Sequence, residues 1–285
     1  MSLLDIRPDS TVVDATLGHA GHACEITEKL TADGRLIGLD VDPDALAVAR
    51  DRLHQGKCSI ELVRENFGQL DVVLKQAGVE KADVILADLG VNSAQLADSS
   101  CGISFQIDAP LDMRLDDRLE TTAADLVNGL EQDTLADLIY RYGEERMSRR
   151  IARRIVERRR KKRIQSTGEL VETLFDALKI TSKGRRSKIH PATRTFQALR
   201  IAVNKELDQL ERLLNLAPEL LNKDGYLAII SFHSLEDRLV KYNFRENKNA
   251  GLYRILTKKP IVADREEMAS NPRSRSAKLR VTQKL

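Results

Sequence analysis

The chain has 285 residues, 42% of them hydrophobic, enough for one large core with a smaller companion and too apolar for disorder throughout. No apolar run approaches bilayer-spanning length, and Met1 to Ser10 carries neither a basic leader with an apolar core nor an Arg-rich presequence, so a cytoplasmic location is expected. Three scattered cysteines, Cys24, Cys58 and Cys101, argue against a disulfide framework or a zinc knuckle, and the net charge of +3 does not by itself imply nucleic acid.

In chain order, short apolar runs alternate with helical patterns over the first ninety residues, the mark of βαβ units and a parallel sheet. Strands are predicted at Thr11 to Asp14, Leu36 to Asp40, Ser59 to Val63 and Val84 to Asp88, with Pro43 opening an Ala-rich helix. From about Phe105 to Ile189 the pattern holds no strand but several helices, among them Thr134 to Tyr142, Glu144 to Arg163 and Thr167 to Leu178. This predicts a helical domain over 105–189 inserted into a discontinuous α/β domain of residues 1–104 and 190–285. A long helix from Thr193 to Leu216, a turn at Lys223 to Gly225, a strand from Tyr226 to Phe232, and short strands at Leu252 to Leu256 and Lys278 to Thr282 complete it.

The first strand runs through Asp14-Ala15-Thr16-Leu17-Gly18-His19-Ala20-Gly21-His22 into a helix, placing a small-residue turn at the carboxyl edge of the sheet, where doubly wound folds bind ligands. The second strand ends at Asp40, positioned to accept hydrogen bonds from both hydroxyls of a ribose. A third acid, Asp88, ends the fourth strand, and Phe67 follows the third, where a ring can cover an adenine. Any one of these acids alone reads as a helix cap or a solvated strand end; three at successive strand ends point to an adenosine-containing cofactor. The dinucleotide pattern G-x-G-x-x-G would fall on Gly18, Ala20 and Ala23, lacking two of its glycines, so a nicotinamide cofactor fits less well. His19, His22 and Cys24 match no common zinc spacing, and no metal is expected.

Charge is uneven. Arg146 to Arg163 holds eleven Lys or Arg among eighteen residues with Glu157 as its only acid, while Met147, Ile151 and Ile155 supply an apolar stripe. So many cations against one anion would repel one another, which favours contact with a phosphate backbone. The stretch Arg273 to Arg280 is a second candidate contact.

Six segments together resemble the family of 16S rRNA cytosine-N4 methyltransferases: Asp14 to His22, Ala87 to Leu96 (ADLGVNSAQL), Gly102 to Arg114 (GISFQIDAPLDMR), His190 to Leu207, Ser231 to Arg238 (SFHSLEDR) and Arg275 to Arg280 (RSAKLR). The match spans nearly the whole chain. It implies a class I S-adenosylmethionine-dependent methyltransferase, a Rossmann-like doubly wound sheet with an inserted all-helical domain. It further implies S-adenosyl-L-methionine as cofactor, 16S rRNA of the small (30S) ribosomal subunit as partner, and N4 of one cytosine in the decoding region as target. Carried over residue by residue, Ala20, Gly21 and His22 lie at the methionine end, Asp40 at the ribose, Phe67 and Asp88 near the adenine, and Gln95 beyond strand four.

The sequence departs from the family pattern at Ala20, where a glycine is usual, and at Asn92-Ser93-Ala94, where Ser-Ser-Pro is usual; the chain also begins about a dozen residues before its first motif, where the family carries a further helix. Cytosine N4 is a poor nucleophile, so an acceptor for its hydrogens is required, and Asp88, Asn92 and Ser93 are the catalytic candidates. Asp112, Arg114 and His233 are candidates for the target-base pocket, with a strand-end polar role the other reading of His233. Arg153, Arg154 and Arg159 are candidate RNA contacts. A non-catalytic ribosome-assembly protein and a nicotinamide-dependent oxidoreductase are the competing classes, and a homodimer is left open.

Overall fold

A computed structural model describes residues 3–91, 95, 101–180 and 190–285. Contacts divide the chain into two units, residues 1–90 with 207–285, and residues 91–206. The sequence placed these borders at 104/105 and 189/190. The difference arises mainly because helix Thr193–Asn204 buries Phe196, Leu199 and Val203 in the helical unit's own core.

The first unit is built on an eight-stranded sheet: β1 (Thr11–Asp14), β2 (Arg35–Asp40), β3 (Ser59–Arg64), β4 (Ala82–Asp88), β5 (Leu221–Ser231), β6 (Tyr253–Ile255), β7 (Ile261–Val262) and β8 (Lys278–Lys284). Their order is β3-β2-β1-β4-β5-β8-β6, with β7 also paired to β8. β1 to β5 are parallel, and β8 inserts antiparallel between β5 and β6. A dinucleotide-binding Rossmann sheet continues with a parallel sixth strand at that position; the reversed strand is consistent with the class I methyltransferase arrangement.

The central strands are apolar on both faces, as parallel strands must be when helices cover both sides. Val13, Ile37, Ile85 and Ile229 pack beneath α3 (Leu70–Gln76), α9 (Glu206–Leu220) and α10 (Ser234–Asn249), through Leu74, Leu213 and Phe244 among others. Their neighbours Val12, Leu36, Val84 and Ala228 face the opposite way, onto α1 (Gly21–Thr27) and α2 (Pro43–Leu53), through Ile26, Leu46 and Leu53. This alternation is the period-2 register of the strands. The turn expected at Lys223 to Gly225 lies within β5, where Asp224 takes φ 63° and the pairing with β4 shifts register. A side chain at Gly225 would meet the carbonyls of Asn222 and Asp83 at 2.9 Å.

The helical unit comprises α4 (Ala123–Gly129), α5 (Gln132–Gly143), α6 (Ser148–Arg159), α7 (Thr167–Leu178) and α8 (Thr193–Asn204) around Leu135, Ile139, Ile151, Ile155, Leu170 and Leu174. The expected helix from Glu144 starts at Ser148 instead, because Glu144 adopts a left-handed conformation (φ 49°) that closes α5. The single helix expected from Thr193 to Leu216 is broken in the same way at Lys205 (φ 52°). A short helix, α11 (Arg265–Ser270), precedes β8. No helix among the described residues is long and apolar enough to cross a membrane.

Candidate active site

The carboxyl ends of β1, β2 and β4 meet in a closely bonded loop. Leu17 N–H donates to Leu39 O (2.8 Å) and Gly18 N–H to Asp40 Oδ2 (2.7 Å), while Asp40 Oδ1 accepts from Asp42 N–H (2.9 Å). Across the sheet, Ala15 N–H donates to Leu86 O and Asp88 N–H to the Thr16 hydroxyl (2.6 Å). Arg52 on α2 clasps the carbonyl of His19. Gly18 and Ala20 both take left-handed φ (50° and 60°). Ala20 is buried and caps α1, so the position where the family pattern has glycine is one where a Cβ carries strain.

Three acids face this loop, two of them with an incomplete set of partners. Asp14 is fully buried and its Oδ2 has no hydrogen-bond partner among the described residues, as is true of Asp88 Oδ1. Burial pushes the Asp14 carboxyl up to about 6; the nearby His22 and the Thr16 N–H oppose the rise, and the charges of Asp88 and Asp40 add to it. Burial also raises Asp40, against the N–H groups of Asp42 and Gly18. His22 Nε2 lies 3.3 Å from Asp88 Oδ2, and that hydrogen bond holds the imidazole above its ordinary value despite burial. Sequence reasoning counted the acids but missed Thr16 and the coupling of His22 to Asp88, neither of which has a local signal.

Phe67 opens a short 3-10 turn after β3 and packs partly buried against the sheet core, its turn fixed by Asn66 Oδ1 accepting from Gly68 N–H. A Cβ at Gly68 would meet the end of the Gln209 side chain at 1.9 Å, so that flexible side chain would have to swing away. Gln95 is half-buried and belongs to the other unit, while Asn92 and Ser93 lie outside the described residues.

The remaining candidates already have tasks within the fold. Arg114 binds its own neighbour, Asp112, through Nε (2.7 Å) and Nη2 (2.8 Å), and donates to Leu119 O. The segment is pinned at Met113, whose φ is 66°, by Asn204, which donates to Met113 O and accepts from Leu115 N–H (both 2.8 Å). His233 is the N-cap of α10: its Nδ1 accepts from Glu236 N–H, and Glu236 reaches back to the N–H groups of Phe232 and His233. In the basic tail, Lys278 and Arg280 belong to β8 and both pair with Asp237, at 3.3 and 2.7 Å. Arg280 is buried, so it is a cross-link rather than an outward cation.

The basic helix α6 is less bare than its sequence. Arg154 pairs with Asp176 (3.0 Å) and Glu157 (3.2 Å), Arg158 with Glu172 (3.3 Å), and Lys162 with Glu169 (2.6 Å). Arg159 donates to Val127 O. Arg153 is exposed and has no acidic partner among the described residues.

Residues 1–285 match the model of the MraW methylase family. The chain is 44% identical to the ribosomal RNA small subunit methyltransferase H of Brevibacillus brevis, covering 99% of this chain and 94% of that one. It is 50% identical to the protein of the same name from Picosynechococcus, covering 97% and 91%. Among solved structures it resembles an rRNA methylase from Streptococcus thermophilus at 13% identity and a TM-score of 0.43, covering 98% of this chain and 89% of that one.

Proposed function

Since the chain belongs to the MraW methylase family, we propose that it methylates small-subunit ribosomal RNA from S-adenosylmethionine, at the exocyclic N4 of one cytosine in the decoding region. The observation that carries this reading is the loop at the carboxyl edge, where Asp40 is bonded to the turn and two buried carboxylate oxygens, on Asp14 and Asp88, lack donors among the described residues. Such a cluster suits a ligand that brings a ribose and N–H groups. The oxidoreductase alternative lacks both the glycine pattern and the family match.

S-adenosylmethionine supplies a methyl group on a sulfonium, ready for in-line displacement. Asp40 would accept from the ribose hydroxyls with the lone pairs left after Gly18 and Asp42. Phe67 would cover the adenine and Ala20, Gly21 and His22 would line the methionine end, with Gln95 assigned to the cofactor by the family resemblance alone. Asp88 accepts a hydrogen from the N4 amine and so directs its lone pair, with Asn92 and Ser93 as further acceptors and His22 fixing the carboxylate from its other oxygen. No nucleophile on the protein is needed. Asp112, Arg114 and His233 support the target base indirectly, by shaping the segments that carry them.

The test is transfer of labelled methyl to small subunits lacking this modification, with the labelled nucleotide mapped and Asp40→Ala run beside the wild type. Label on N4 of one cytosine, absent with the variant, is the expected result. Label at a carbon or ribose position would overturn the N4 assignment, and no transfer to subunits or free 16S rRNA would overturn the substrate.

A further inference from the structure

On α6 and the turn that follows it, two rows of cations have different surroundings. Arg154, Arg158 and Lys162 recur every four residues and face Asp176, Glu172 and Glu169 on α7, which descend in the opposite direction as antiparallel helices require. The buried stripe of Ser148, Ile151, Ala152, Ile155 and Val156 occupies the core side. At 100° per residue, Arg149, Arg153 and Arg160 fall on a third strip, away from the acidic row; all three are exposed, and none has an acidic side chain in ion-pair distance among the described residues. The helix's only acid, Glu157, is paired to Arg154.

Resting on the proposed action on rRNA, we infer that the Arg149–Arg153–Arg160 strip is the phosphate-contacting face, while the Arg154–Arg158–Lys162 row is a structural tie to α7. A backbone phosphate approaching the second row would meet the carboxylates of Asp176, Glu172 and Glu169 as well as the cations, so attraction there is largely cancelled. The first strip carries three guanidiniums over about 16 Å, and the one acid beside it, Glu157, is turned to Arg154. Arginine suits phosphate oxygens because its planar fork donates two parallel hydrogen bonds. The partner is RNA backbone, since exposed cations along one helix face supply the sequence-independent charge that positions a phosphate chain. Of the arginines that the sequence reading assigned to RNA, this inference keeps Arg153 and gives Arg154 and Arg159 to contacts within the helical unit.

The experiment measures binding of full-length protein to free 16S rRNA from 50 to 300 mM KCl, for the wild type, R149Q/R153Q/R160Q and R154Q/R158Q. Each phosphate contact contributes about 0.7 to 0.9 to the slope of log K against log salt. The triple variant is expected to lose about 2 to 3 of that slope at an unchanged melting temperature, and the double variant to keep the slope while melting lower. A triple variant with the wild-type slope overturns the inference, as does one that keeps its slope on free RNA but no longer binds intact small subunits, which would assign the strip to a ribosomal protein. Methyl transfer by the wild type to the same RNA, measured in parallel, tests the proposed function separately.

Discussion

The sheet edge and the helical unit treat charge in opposite ways. At the edge, Asp14 and Asp88 keep buried oxygens without donors among the described residues, and the Asp14 carboxyl is pushed up to about 6. In the helical unit, Asp112 is closed on Arg114, and Arg154, Arg158 and Lys162 on the acids of α7. Groups that neutralise one another stabilise the fold and offer little to a ligand. Groups left incomplete destabilise the ligand-free fold and are those a ligand completes.

If that contrast is right, Asp40→Ala should have the largest effect: loss of two charge-assisted bonds to a ribose together with the ties to Gly18 and Asp42 lowers kcat/KM about a thousandfold, or ~4 kcal/mol. A tenfold loss or less would place the nucleoside elsewhere. Asn204→Ala leaves Met113 O and Leu115 N–H without their partner, and the protein should lose about 3 kcal/mol in urea unfolding. A loss below about 1 kcal/mol would mean the Asp112–Arg114 segment holds its shape unaided.

Asp14→Asn should do the reverse, stabilising the ligand-free protein by about 2 kcal/mol at pH 8 while weakening cofactor binding. The folded Asp14 value of about 6 lies above the ordinary 3.8, so the unfolded chain ionises first. Stability therefore falls as pH rises from about 4 to 6 and stays reduced above, and the variant should lose that slope. The raised His22 adds in the same sense at higher pH: its contribution is full below 6.5 and disappears as pH rises through the folded value. Arg154→Gln removes an exposed tie to Asp176 and Glu157 and should lower the melting temperature only slightly, and less still in 0.5 M salt. Ala20→Gly should change stability least, within ~0.5 kcal/mol, because relief of the left-handed strain is offset by loss of a buried methyl and by glycine's greater freedom when unfolded. A thermal melt shifted by more than a few degrees would show that Ala20 is not simply tolerated.

The sequence was most informative where function and backbone coincide. The parallel strands announced themselves as apolar runs, and the acids at their ends stood in register with them. The break at Lys205 did not, since Ala-Val-Asn-Lys-Glu-Leu reads as uninterrupted helix until Asn204 is seen turned onto Met113 and Leu115, some ninety residues earlier. The pairing of α6 with α7 was hidden for the same reason: its acids are fourteen or more residues from the arginines they neutralise, so charge counted along one helix overstated its field. His233 was visible as a polar strand end, but its capping of α10 depends on Glu236 reaching back.

The adjacency of β4 and β5 has a consequence for synthesis of the chain. The two strands pair along the middle of the sheet, yet residues 89–220 intervene between them. At ribosomal speeds of roughly 5 to 20 residues per second, the far side of β4 waits on the order of ten seconds for its neighbour to be made. For that interval the nascent protein presents an open row of backbone donors and acceptors along an apolar strand, the kind of edge on which chains aggregate. β4 is thus the segment that a chaperone would have most reason to shelter.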